Sequence, residues 1–190
     1  MNDLRKEATR VMEQADCLYD KAAVEAALGR VADQINRDMA AANVVVLCVM
    51  NGGLVASGLL LPRLTFPLRL DYMHASRYRE RTAGEELHWK VDPSQPLAGK
   101  DLLIIDDILD EGHTLEAILR YCRDQSPASV RAAVLVQKEH DRGVRPPVDY
   151  IGLDVPDRYV FGYGMDYKGY WRNAAGIYAV AGQQVERTGQ

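Results

Sequence analysis

The stretch Leu102-Leu103-Ile104-Ile105-Asp106-Asp107-Ile108-Leu109-Asp110-Glu111-Gly112-His113-Thr114-Leu115 limits the folds open to this chain more than any other. Four consecutive apolar residues are short for a helix and suit a strand buried on both faces. The run stops at two adjacent carboxylates, and a third carboxylate, a glycine and a threonine follow. Leu115 to Cys122 then has the composition and spacing of a helix. The order is strand, acidic loop, helix, which predicts an α/β sheet. In open α/β sheets ligands bind outside the carboxyl ends of the strands. The start of the following helix offers free N–H groups and a positive dipole end to an anion.

Acid beside an anion site is coherent once a divalent cation and sugar hydroxyls are added. Carboxylates can hold both while the Gly112–Thr114 backbone cradles a phosphate. Two other phosphate motifs fail on spacing. A P-loop needs Lys after its second glycine, and His113 follows Gly112. A dinucleotide fingerprint needs three glycines, and only Gly112 is present. The plainer reading is a solvated acidic loop, since charge clusters also occur without a ligand.

The whole chain of 190 residues fits one domain with a full core. A net charge of −4 argues against broad nucleic-acid or anionic-membrane binding. No apolar run approaches the ~20 residues of a membrane span, and the N-terminus is unlike a signal peptide. Cys17, Cys48 and Cys122 are far apart and read as reduced cytosolic thiols without a zinc site.

Residues 3–15 read as helix, and Asp20 caps a second helix with Val24, Ala27, Leu28, Val31, Ile35 and Met39 on one face. Val44 to Met50 is a second buried strand, ending in Asn51-Gly52-Gly53 before a helix from Leu54 to Leu61. Glycines there let backbone approach a ligand closely. Pro67 to Ser76 alternates, with Leu68, Leu70 and Tyr72 on one side of a half-buried strand. The polar stretch from Arg77 to Glu86 reads as a mobile loop of the length used for lids. Strands are also expected at Leu87–Val91, Val130–Gln137, Val148–Leu153 and Ile177–Val180. Lys138 is then one residue past a buried strand.

The central motif resembles the 5-phosphoribosyl-1-pyrophosphate (PRPP) motif of type I phosphoribosyltransferases. With Leu135 to Asn173 added, the chain from about Val44 to about Ile177 is similar to the hypoxanthine-guanine branch of that family. The resemblance implies a central, mostly parallel sheet flanked by helices, with a small hood and a mobile lid. It implies a cytosolic purine salvage enzyme that transfers 5-phosphoribosyl from PRPP to hypoxanthine or guanine, uses Mg²⁺, and forms a homodimer or homotetramer.

By the same resemblance, Asp106 and Asp107 hold ribose hydroxyls and help organise Mg²⁺, with Asp166 near a second ion. Asp110 takes the proton from purine N7. Glu111, Gly112, His113 and Thr114 form the 5′-phosphate loop. Asn51, Gly52 and Arg172 face the pyrophosphate. Lys138 donates to the purine 6-oxygen, Tyr159 stacks on the base, and Val160 offers its carbonyl to the purine edge. Ser76, Arg77 and Tyr78 belong to the lid. Two positions depart from the pattern. Glu111 stands where many members carry Thr, and Asn51 where some carry Lys or Arg. Two alternatives stay open: a PRPP- or nucleotide-sensing regulator on the same fold that binds nucleic acid, and a phosphoribosyltransferase for another base such as xanthine or a pyrimidine.

Overall fold

The computed structural model describes residues 3–77 and 87–182. Helix α1 (Asp3–Gln14), strand β1 (Asp16–Asp20) and helix α2 (Lys21–Met39) lead into β2 (Val44–Val49) and α3 (Gly53–Leu60). Then come β3 (Leu68–Arg77), β4 (Leu87–Val91), β5 (Asp101–Leu109), α4 (His113–Asp124), β6 (Ser129–Glu139), β7 (Tyr150–Pro156), β8 (Val160–Phe161) and β9 (Gly176–Ala179). The main sheet has the order β4-β3-β2-β5-β6-β7. Its strands run parallel except β4, which is antiparallel on β3. A second sheet, β1-β9-β8, forms the hood and is antiparallel throughout.

Alternation along the buried strands builds a core on each face of the main sheet. Leu103 and Ile105 pack with Val24, Leu28, Val31 and Ile35 of α2 and Ala56 and Leu60 of α3. Leu102 and Ile104 pack with Leu115, Ile118, Leu119 and Cys122 of α4. The expected face of α2 is buried, and Asp20 caps the helix by accepting the Ala23 N–H at 2.8 Å. A third cluster joins Ala8 of α1 to Phe161 and Tyr167, tying the N-terminal helix to the hood.

Four expectations shift. β5 does not stop before the acidic pair but runs through it to Leu109, because main-chain pairing with β6 continues past the apolar run. β6 likewise extends to Glu139, so Lys138 lies inside the strand near its end. On β3 the buried side is Asp71 and Met73, while Leu70 and Tyr72 are 53% and 48% exposed. Asp71 is satisfied there by the N–H groups of Tyr72, Ser94 and Gln95 and the Ser94 hydroxyl. The short hood strands β1 and β8 were not foreseen. Their order comes from pairing with the distant β9.

Candidate active site

The carboxyl ends of β2 and β5 and the start of α4 enclose a cavity of about 370 Å³. Met50, Gly52, Ala75, Asp106 to Leu115 and Arg172 are among its lining residues. A second cavity of about 250 Å³ adjoins it, bounded by Lys138, Tyr159, Val160, Met165 and Asp166. Asp107, Ile108 and Asp110 line both. The residues expected at phosphate and ribose thus fall in one chamber, and those expected at the base in the other. The boundary runs along Asp107, Ile108 and Asp110.

Gly112 adopts φ +79°, and a Cβ there would lie 2.2 Å from the Val144 carbonyl oxygen. That tight turn starts α4 without a side-chain cap, leaving the first-turn amides of His113 and Thr114 without intrahelical partners. They sit at the cavity wall with the positive end of the helix. Gly52 is equally constrained. A Cβ on it would lie 2.1 Å from Asp107 Oδ2, and a Cβ on Gly164 would lie 2.1 Å from the Gly52 carbonyl. Only glycine lets the β2–α3 loop, the end of β5 and the hood loop meet there. The Met50–Asn51 peptide is cis. Asn51 itself is exposed, between Met50 and Gly52 which line the cavity.

Asp106 and Asp107 are each 9% exposed. Asp106 accepts the Asp107 N–H at 2.9 Å. Burial, and then the neighbouring carboxylate, push Asp106 well above the ordinary carboxylate range. Burial also raises Asp107, against hydrogen bonding from Asp106 and the charge of Arg172. Arg172 is held by the hood, donating to the Gly164 carbonyl at 2.5 Å and pairing with Asp166 at 2.5 Å. The other Asp166 oxygen accepts the Gly169 N–H at 2.6 Å.

The register of β5 on β6 pairs Leu109 with Gln137. Asp110 and Lys138 therefore emerge side by side, and Lys138 Nζ lies 2.7 Å from Asp110 Oδ2. His140 Nε2 lies 2.8 Å from Oδ1. Burial works to raise Asp110, but its bonds to Lys138 and His140 outweigh this and hold it below the ordinary range. Tyr159 is 40% exposed at the second chamber and meets Tyr167 edge-on, ring centres 5.5 Å apart.

Of the expected lid, Ser76 and Arg77 end β3, and Tyr78 lies outside the described residues. Sequence reading missed His140, Arg142 and Arg145, which fold back on Asp110 and Asp157. No local signal marked them: β6 ends at Glu139, and the loop that follows reads only as charged. Among the described residues, Asp110, His140 and Asp157 also have the composition of a metal site, with donor atoms within 4.8 Å of one another. Lys138 already pairs with Asp110, and Arg142 pairs with Asp157 through both oxygens. The cluster reads as an ion-pair network rather than a metal centre.

A family model described as "Phosphoribosyl transferase domain" matches residues 14–168. Human hypoxanthine-guanine phosphoribosyltransferase is 30% identical over 154 residues, covering 76% of this chain and 71% of that protein. A Staphylococcus aureus hypoxanthine phosphoribosyltransferase structure superposes with a TM-score of 0.84 at 25% identity, covering 95% of this chain and 96% of that one. A hypoxanthine-guanine-xanthine phosphoribosyltransferase structure gives 0.81 at 26% identity, covering 88% and 98%. A chain matched over most of its length, with acids, glycines and helix start arranged as described, belongs to the phosphoribosyltransferase family, alongside the hypoxanthine-guanine phosphoribosyltransferases.

Proposed function

We propose that this protein is a cytosolic purine salvage enzyme that transfers 5-phosphoribosyl from PRPP to hypoxanthine or guanine, releasing pyrophosphate. The observation that carries the reading is the meeting of the two chambers at Asp107 and Asp110. One chamber has helix amides and Arg172 for phosphates, and the other has a cation and an aromatic ring for a base. The chain's own residues have distinct tasks. The α4 amides hold the 5′-phosphate. Arg172 pairs with pyrophosphate through a forked guanidinium. Lys138 donates to the 6-oxygen, Tyr159 stacks on the ring, and Asp110 receives the N7 proton. Catalysis is mainly positioning and electrostatic stabilisation of a cation-like ribose.

Asp106 and Asp107 offer carboxylate oxygens for one ion and Asp166 for a second, and such donors suit a hard cation such as Mg²⁺. Bound with PRPP there, Mg²⁺ would offset the charge building on the pyrophosphate. The buried acid pair supports this, since two raised carboxylates side by side favour a site that a cation completes.

The test is a panel of bases with PRPP and Mg²⁺. Hypoxanthine and guanine should turn over, adenine should not, and excess EDTA should abolish activity. Lys138→Ala should reduce 6-oxopurine use far more than PRPP binding, since a donor at position 6 pairs with an oxo group and meets adenine's amino group unfavourably. Turnover of adenine alongside guanine by the unaltered protein would sink the assignment of Lys138. The panel also decides xanthine, which the name of one structural relative includes.

The proposal extends to self-association as a dimer or tetramer. Leu70 and Tyr72 are exposed on the side of β3 whose first residue, Leu68, packs into the α2–α3 core. Leu54 at the start of α3 is 53% exposed. Apolar residues bared next to a core face suit an interface between copies. Leu70→Lys with Tyr72→Lys should shift the mass measured by light scattering toward the monomer. An unchanged mass would place the interface elsewhere.

A further inference from the structure

The His140 side chain is only 5% exposed, although its partner Asp110 is 41% exposed. Its Nδ1 faces two donors, the Arg142 N–H at 3.2 Å and the Arg145 guanidinium at 3.0 Å. A ring nitrogen approached by two donors accepts, so the hydrogen-bond partners assign the ring N–H to Nε2. Nε2–H is then the group aimed at Asp110 Oδ1. Arg145 also donates to the His140 carbonyl and, at 2.9 Å, to the Asp110 carbonyl. One guanidinium therefore clasps the backbone of both residues and orients the imidazole.

Both oxygens of Asp110 are occupied, Oδ2 by Lys138 and Oδ1 by His140. For Lys138 to reach a purine 6-oxygen it must slacken its hold on Oδ2. At that moment the carboxylate loses one of two anchors, just when its aim matters. We propose that His140, oriented by Arg145, is a positioning residue that keeps Asp110 aligned through Oδ1 while Lys138 moves to the substrate. This inference rests on the reading of Asp110 as the base. In the step it serves, the N7–H bond breaks and its proton joins Oδ2. The electrons of that bond stay in the purine ring as the attacking ring nitrogen bonds the ribose carbon. The carbon–oxygen bond to pyrophosphate breaks, and its electron pair leaves with pyrophosphate. Nε2 already carries a hydrogen, so His140 holds the carboxylate and does not collect the proton.

The test compares His140→Leu with His140→Gln. Leu removes the donor. Gln restores an N–H donor and an oxygen that can accept from Arg145. His140→Leu should lower saturating turnover by about ten- to a hundredfold, as expected for a misaimed reacting group. PRPP affinity measured by calorimetry should stay within about twofold, since His140 itself lines neither chamber, and Gln should recover most of the turnover. Arg145→Met, at an exposed position, should lower turnover too and add little to His140→Leu in a double-mutant cycle. Turnover of His140→Leu near the unaltered rate, equal losses in Leu and Gln, or full additivity with Arg145→Met would each overturn the proposal. If Asp110→Asn keeps full saturating turnover, the base reading itself falls, and this inference with it. If Asp110→Asn is inactive while His140→Leu is not, only the inference falls.

Discussion

Asp110→Asn is expected to lower turnover at saturating substrates by about 10²–10⁴-fold, the usual worth of a positioned general base. PRPP affinity should stay within about tenfold, because the carboxylate sits at the boundary of the two chambers and not among the α4 amides. Asn keeps the size and still accepts a hydrogen bond but does not take up the proton. The ion pairs around Asp110 sharpen the case. With Lys138 and His140 bound to it, the carboxylate lies below its ordinary range and is a weak base. When Lys138 turns to a 6-oxygen, one source of that depression is withdrawn and the carboxylate becomes a stronger proton acceptor. A base lacking an acceptor at position 6 gives Lys138 no reason to leave. Recognition and activation are coupled through one lysine. The alternative is that Asp110 only shapes the loop. Then Asn would raise the PRPP dissociation constant and leave saturating turnover nearly intact. Calorimetry and steady-state kinetics on the same variant separate the two.

Gly52→Ala is the second large effect. The added methyl would stand 2.1 Å from Asp107 Oδ2 and 2.4 Å from its Cγ, so either the carboxylate or the loop must move by more than an ångström. Asp107 is 9% exposed and cannot swing freely into solvent. Displacement of that size in a reacting site costs about 10²-fold or more in kcat/KM. Unlike Asp110→Asn, the loss should appear in PRPP binding as well, because Asp107 and the Gly52 loop both line the larger chamber. Calorimetric PRPP affinity within twofold of the unaltered protein would show that the loop relaxes around the methyl. By contrast, a Cβ on Gly58 meets nothing within 4 Å, so Gly58→Ala serves as the control that should leave binding unchanged.

What was legible in the sequence was what is local. The acidic stretch, the glycine pair after β2 and the apolar face of α2 each carry their signal within a few residues. What sequence reading missed depends on partners far along the chain. β1 reads as Asp-Cys-Leu-Tyr-Asp, with no strand pattern of its own, and is strand because β9 lies beside it. The bond between Lys138 and Asp110 follows from the register of two parallel strands, which no local spacing encodes. The loop from His140 to Pro147 looked like a charged connection. Its His140, Arg142 and Arg145 side chains are in fact turned onto Asp110, Asp157 and neighbouring backbone. On β3 the alternation was right but the assignment of faces was not, because Asp71 finds four donors inside while Leu70 and Tyr72 stay outside.

The convergence of Gly52, Asp107 and Gly164 also bears on how the protein folds. Three distant stretches of chain touch at one place: the loop after β2, the end of β5 and the hood loop after β8. Contacts of that kind form only after long loops have closed, and so belong to the late part of folding. A partly folded chain with the main sheet in place but the hood unattached has α4 and the acidic pair, yet not this junction. The chamber with Arg172 in its wall is thus a property of the completed chain alone. Any ligand that fills it binds the native state and not its precursors, and at a hundred times its dissociation constant holds the whole fold by about 2.7 kcal/mol.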